Sequence, residues 1–212
     1  IAWGLVGSEM CIRDSITADS TISSSSDGDQ YNIKTNNDID VIVTNNSTLE
    51  RNQKIFNVSA SSLTGSSITI HLGSSVIAET NSIFSNGAEL TITNTGTIEA
   101  TNSKAINVSN SDGVSITNNN NGVIKSNNNT ILGDAGTGAD NVTIDNSGEI
   151  YTTATGTESS AIVFANNDTG NTITNNSGGE IYSSGSESTI VLGVSSTLTN
   201  SGSIKNNKSV TN

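Results

Sequence analysis

Along much of this chain apolar residues alternate with polar ones in pieces three to five residues long. LTITN (90–94), VSITN (114–118) and VTIDN (142–146) put an apolar residue at every second position. That is the period of a strand with one face buried and the other in water. Each piece is followed by a G-x-I segment and then by an apolar pair of the kind seen in AINV (105–108) and AIVF (161–164). Three short strands therefore recur in fixed order, punctuated by Asn, Gly and Ser, the residues that favour turns.

The recurrence is an internal repeat. ITNTGTIEA (92–100), NNGVIKS (120–126), IDNSGEIYT (144–152), TNNSGGEIYSS (174–184) and LTNSGSIKN (198–206) share the pattern N-x-G-x-I, relaxed to NSGGEI in the fourth. Their last isoleucines, Ile98, Ile124, Ile150, Ile181 and Ile204, are 26, 26, 31 and 23 residues apart, a constant core with loops of elastic length. The apolar pairs that follow the first four are Ala105-Ile106, Thr130-Ile131, Ala161-Ile162 and Thr189-Ile190. A fainter version precedes them, with TNNSTLE (44–50) before KIFNV (54–58) and GSSVIAE (73–79) before SIF (82–84). Strands this short cannot make a stable sheet inside one repeat. Stacking repeat on repeat solves the problem and predicts an all-β fold, a parallel β-helix (solenoid) of about seven coils of 21–31 residues, as one domain over residues 16–212. At a strand spacing of about 4.8 Å the rod would be roughly 30–35 Å long. Each isoleucine of the inner column would contribute roughly 1.5–3 kcal/mol. Asn and Gly are expected at the corners, accepting positive φ, with Asn side chains bonded in a ladder.

Composition narrows the choice. Asn supplies 31 of the 212 residues and Pro is absent. An Asn/Ser/Thr-rich linker would not space Ile, Val and Leu so regularly. A β-sandwich array would repeat at roughly 100 residues, and this mixture makes poor helices. The net charge of -12 disfavours nucleic acid and anionic membrane as partners. The only cysteine is Cys11, so no disulfide staples the fold, and no apolar run reaches the about 18 residues of a spanning helix.

The first fifteen residues, IAWGLVGSEMCIRDS, stand apart. They hold the only Trp (Trp3), Met (Met10) and Cys (Cys11). Read as the tail of a secretory signal they lack a basic region, and Glu9, Arg13 and Asp14 occupy the place of a small-residue cleavage site. GLVGSEMCIRDS instead resembles a translated sequencing-adapter peptide. Residues 1–15 are accordingly expected to be non-native or disordered, and the chain to be a fragment truncated at its C-terminal end.

N-x-G-x-I followed by A-I-x-V, on an acidic and cysteine-poor background, resembles the passenger domains of bacterial autotransporters and related surface β-helical adhesins over about residues 40–212. The resemblance implies a right-handed parallel β-helix, export to the bacterial cell surface, and attachment to the outer membrane through a C-terminal barrel that is not visible in SGSIKNNKSVTN (201–212). It implies a stalk or adhesin, with a glycan, a cell-surface protein or a second copy as partner.

Reactive side chains are few. His71, the single histidine, lies between Ile70 and Leu72, where period two turns it outward on a strand. Polysaccharide lyases and hydrolases, the rival class, gather carboxylates with Arg or Lys on one face of a β-helix, whereas the only arginines here are Arg13 and Arg51. A non-catalytic part of such an enzyme is the alternative reading. AGTGADNVT (135–143) approaches the calcium-binding nonapeptide, with Asp140 as ligand and Val142 pointing inward. That site needs tandem copies and only one is visible, so Ca2+ is one reading and a Gly-rich loop the other. The residues after each G-x-I isoleucine, Glu99, Lys125, Tyr151, Tyr182 and Lys205, should form an outward column. Glu99 over Lys125 reads as an ion pair, and Tyr151 over Tyr182 as an aromatic stack that either stabilises the ladder or serves as a ligand-binding platform. No residue is assigned to catalysis and no cofactor is expected apart from the Ca2+ reading.

Overall fold

The computed structural model describes residues 13–16, 20–22, 30–33, 38–44, 46–59, 64–87, 89–133 and 138–206. Among them every regular element is a strand. A first pass contributes β1 (Arg13–Ile16) and β2 (Ser20–Ile22). Seven three-strand coils follow. The first two are β3 (Gln30–Ile33), β4 (Asp40–Val43) and β5 (Thr48–Arg51), then β6 (Phe56–Ser59), β7 (Ser66–Ile70) and β8 (Ser75–Ala78). The next two are β9 (Ile83–Asn86), β10 (Leu90–Asn94) and β11 (Thr97–Ala100), then β12 (Ile106–Asn107), β13 (Ser115–Asn118) and β14 (Val123–Ser126). Then come β15 (Ile131–Leu132), β16 (Thr143–Asn146) and β17 (Glu149–Thr152), and β18 (Ile162–Val163), β19 (Thr172–Asn175) and β20 (Glu180–Ser183). The last is β21 (Ile190–Val191), β22 (Thr197–Asn200) and β23 (Ser203–Asn206).

Each strand pairs in parallel with its counterpart one coil away, giving three sheets. The first holds β1 and then every third strand from β3 to β21, the second β2 and then β4 to β22, and the third β5 to β23. The seven strands of the third sheet bound six full turns, and the eight of the other two span about 34 Å at ordinary strand spacing. The solenoid foreseen from the repeat is the fold observed. Residues 1–12 lie outside the described residues, and Arg13–Ser15 pair with Gln30–Asn32.

The interior is three columns of stacked aliphatic side chains. Ile98, Ile124, Ile150 and Ile181 are in direct register and fully buried, continuing below to Val76 and Leu49. Ile68, Ile92, Ile116, Ile144 and Ile173 do the same in the second sheet, and Ile83, Ile106, Ile131 and Ile162 in the first. At the last coil the burial fades: Leu198 is 39% exposed and Ile204 is only partly covered.

The corner between the second and third sheets explains the N-x-G-x-I signature. Asn94, Asn118, Asn146 and Asn175 are fully buried, and each donates from Nδ2 to the Oδ1 of the next asparagine, ending at Asn200, over distances of 2.9, 2.8, 2.8 and 2.8 Å. Each Nδ2 also donates to the carbonyl of the following glycine of the motif, at 3.1–3.2 Å. Those glycines, Gly96, Gly122, Gly148, Gly179 and Gly202, are not at positive φ, contrary to the expectation for corner glycines. What demands glycine is close approach: a Cβ on Gly148 would stand 2.2 Å from the Gly122 carbonyl oxygen and 2.4 Å from that of Asn119. Positive φ occurs at other corners, at Asn46, Asn110 and Asn141 among others.

The column that runs through Ala105, Thr130, Ala161 and Thr189 has an equally local cause. Thr130 and Thr189 donate from Oγ1 to the carbonyls of Tyr151 and Lys205, at 2.7 and 2.9 Å, and Ser82 donates likewise to that of Glu99. Each hydroxyl reaches the third-sheet strand that closes its own coil.

Candidate binding surface

The third sheet carries its even and odd positions to opposite sides. The inward set is the isoleucine column; the outward set runs Glu50, Ile77, Glu99, Lys125, Tyr151, Tyr182, Lys205 in unbroken register. The column deduced from the repeat is therefore present. Lys125 Nζ is 2.9 Å from Glu99 Oε2, and this hydrogen bond raises the lysine pKa above its ordinary value. The rings of Tyr151 and Tyr182 lie 4.5 Å apart at 7°, a face-to-face stack. The Tyr182 hydroxyl donates to Glu149 Oε2 at 3.3 Å, and its pKa is pushed well up, first by partial burial and then by Tyr151 and the Glu149 carboxylate.

The stack fixes what the tyrosines can offer. Each ring has one face covered by the other, and the register neighbours on the outer sides are Lys125 and Lys205. The strip thus presents ring edges and hydroxyls, flanked by Lys205, which lies 3.7 Å from Glu180. Beside it is a shallow groove of about 320 Å³, lined by Glu99, Thr101, Lys125, Asn127, Tyr151 and Thr153. Tyr151 belongs to the groove, while Tyr182 continues the strip beyond it. The groove has a carboxylate, an ammonium, an amide and hydroxyls within one concavity. This set suits hydrogen bonding to a polyhydroxylated or peptide ligand.

Asp140 sits elsewhere, in the loop between β15 and β16. Its Oδ1 accepts a 2.6 Å hydrogen bond from the Thr169 backbone N–H of the next coil, and its own N–H donates to Asp112 Oδ1 at 3.0 Å. Asp168, fully buried, accepts from Ala139 and Ala165 at 3.0 and 2.7 Å. These carboxylates tie successive coils together through backbone amides. Val142 is buried, and residues 135–137 of the nonapeptide-like segment lie outside the described residues. Among the described residues no group of three or more His, Cys, Asp or Glu is placed to hold a metal ion.

His71 is not on a strand. β7 ends at Ile70, and the His71 carbonyl accepts from Ser74 in the turn that follows, leaving the ring half-buried at a corner. Two features escaped sequence reasoning. One is Glu149, outward and one residue before Ile150, which the period-two rule could have placed beside Tyr182. The other is the outward face of the second sheet, whose composition is visible in LTITN, SITN, TITN and TLTN but whose significance needs the register.

No family model matches this chain, and no curated protein or solved structure matches it either.

Proposed function

We propose that the chain is a non-enzymatic part of an exported bacterial surface protein, similar to an autotransporter passenger, serving as a stalk with an adhesive strip. The observation that carries this reading is the unbroken outward column from Glu50 to Lys205, with the groove at Glu99, Lys125 and Tyr151 beside it. A solenoid in which each coil touches only its neighbours can thread through a translocation pore unfolded and fold coil by coil on the far side. A rod also sets weak polar contacts at a fixed pitch, where their sum exceeds any one of them. The partner class is a glycan or a cell-surface protein, engaged by Tyr151, Tyr182 and the groove, and the location is the outer face of the bacterium, held by an outer-membrane barrel. Self-association between rods belongs to the same reading.

The test is binding of the purified chain to a panel of glycans and host-matrix proteins, repeated with Tyr151→Ser and Tyr182→Ser together. Binding that falls in the double variant while the β-type circular dichroism persists supports the strip. Unchanged binding with a lowered melting temperature leaves the tyrosines a purely stabilising role and removes the strip from the proposal.

A further inference from the structure

The outward positions of the second sheet form two columns from β7 to β22. One aligns Thr91 with Ser115 and Thr143, the other Thr93 with Thr117 and Asp145, and both continue through Thr172 and Thr174 to Thr197 and Thr199. Of the twelve positions in these six strands, nine are Thr, two are Ser (Ser67 and Ser115) and one is Asp145. All are exposed or half-buried. Apart from Ser67, whose Oγ donates to Asp40 at 2.5 Å, none of their hydroxyls bonds to another described residue. The Asp145 carboxylate is turned to the corner, where Asn176 Nδ2 donates to it.

β-propensity does not account for this uniformity. Thr suits any outward strand position, yet the outward column of the third sheet reads Glu, Ile, Glu, Lys, Tyr, Tyr, Lys, and that of the first includes Asn57 and Phe84. Only one face is a field of hydroxyls and methyls, without an aromatic ring and with a single charge. Register fixes its dimensions: rows about 4.8 Å apart along the rod and columns about 6.6 Å apart across it. The row spacing lies near the shorter repeat of the hexagonal ice lattice, and the column spacing is about a tenth short of the longer one. Thr, β-branched and stiff at χ1, holds such a grid where Ser would not. Immobilising a water costs entropy, and a preformed grid lowers that cost for every water it seats together. The lack of rings argues against the stacking face that crystalline polysaccharide prefers.

We propose that the outward face of the second sheet binds ice, its threonine rows seating a layer of water at lattice spacing. This stands apart from the adhesive strip on the third sheet. The test is partition of the full chain into a slowly growing ice fraction, with serum albumin as control, and microscopy of single crystals in its presence. Enrichment in the ice and faceting of the crystals are expected. Thr93→Tyr and Thr174→Tyr should abolish both with unchanged circular dichroism, Tyr151→Ser should leave them intact, and Asp145→Thr, which removes the single charge from the face, should strengthen them. Exclusion of the wild-type chain into the liquid with albumin overturns the proposal, as does capture by microcrystalline cellulose in place of ice. Undiminished uptake of the folded Tyr variants overturns it too, and should those variants fail to fold, an Asp145→Thr chain no stronger than wild type decides against it.

Discussion

Replacing Asn146 by Ala removes the middle rung of the amide ladder, and the structure sets the cost. Asn146 is fully buried, accepts from Asn118 Nδ2 at 2.8 Å, and donates to Asn175 Oδ1 at 2.8 Å and to the Gly148 and Glu180 carbonyls at 3.1 and 3.3 Å. Asn118 Nδ2 keeps two carbonyl acceptors, those of Gly122 and Glu149, so its loss is partial. Asn175 Oδ1 loses its amide donor inside the rod, where an unsatisfied acceptor costs about 1–3 kcal/mol. The sum is about 3 kcal/mol. With a urea slope of about 2–3 kcal/mol per molar, the unfolding midpoint should fall by about 1–1.5 M. Asn200, at the exposed end of the same ladder, accepts from Asn175 at 2.8 Å and from the Gly202 N–H at 3.2 Å. Water can replace its oxygen, so Asn200→Ala should cost about 1 kcal/mol or less. The assay is urea unfolding followed by far-ultraviolet circular dichroism, with hydrogen exchange of neighbouring amides to detect stepwise loss of coils, since repeat arrays depart from two-state behaviour. Equal midpoint shifts for the two variants would refute the claim that burial, and not mere membership of the ladder, sets the energy.

Two further outcomes are expected. Gly148→Ala should destabilise by about 1–3 kcal/mol because its Cβ meets two backbone carbonyls of the coil below, while Gly156→Ala, with nothing within 4 Å, should leave the melting temperature unchanged. In an alkaline titration, the tyrosinate absorbance of wild type minus Tyr182→Phe should rise only above the ordinary value of 10.0. The folded pKa of Tyr182 is raised, so its contribution is intact below 10.0 and is lost as pH climbs through the folded value; Lys125, raised from 10.5 by Glu99, acts in the same sense. A difference midpoint at or below 10.0 would contradict the packing of the tyrosine stack.

What could be read in advance was whatever repeats with a period set by the backbone. The isoleucine column, the Glu99–Lys125 pair and the Tyr151–Tyr182 stack all follow from stacking equal positions on equal positions. The corners were harder, because there the period breaks. In the second repeat the motif suggests Asn120, yet the rung is Asn118, and Asn119–Asn121 lengthen the turn before Gly122. In the fourth, Asn175 serves while Gly178 takes the positive φ and Gly179 the crowded site. Short strings cannot say which of several adjacent asparagines points inward. The role of the motif glycine is hidden for a related reason: crowding by a carbonyl of another coil leaves no mark in the local sequence. ITIHL alternates one residue past the point where β7 ends, so period two alone puts His71 on a strand that the backbone has already left.

The amide seam has a sense of direction. Every rung points its nitrogen toward the C-terminal coils and its oxygen toward the N-terminal ones. Two such rods can be spliced into a longer one only head to tail: joined the other way, nitrogen would face nitrogen or oxygen would face oxygen at the junction. Extra coils taken from within the rod should therefore be accepted at Asn200 as a continuing thread, and the sequence order of the chain is written into its axis as a polarity that a symmetric, two-way end-on dimer could not satisfy.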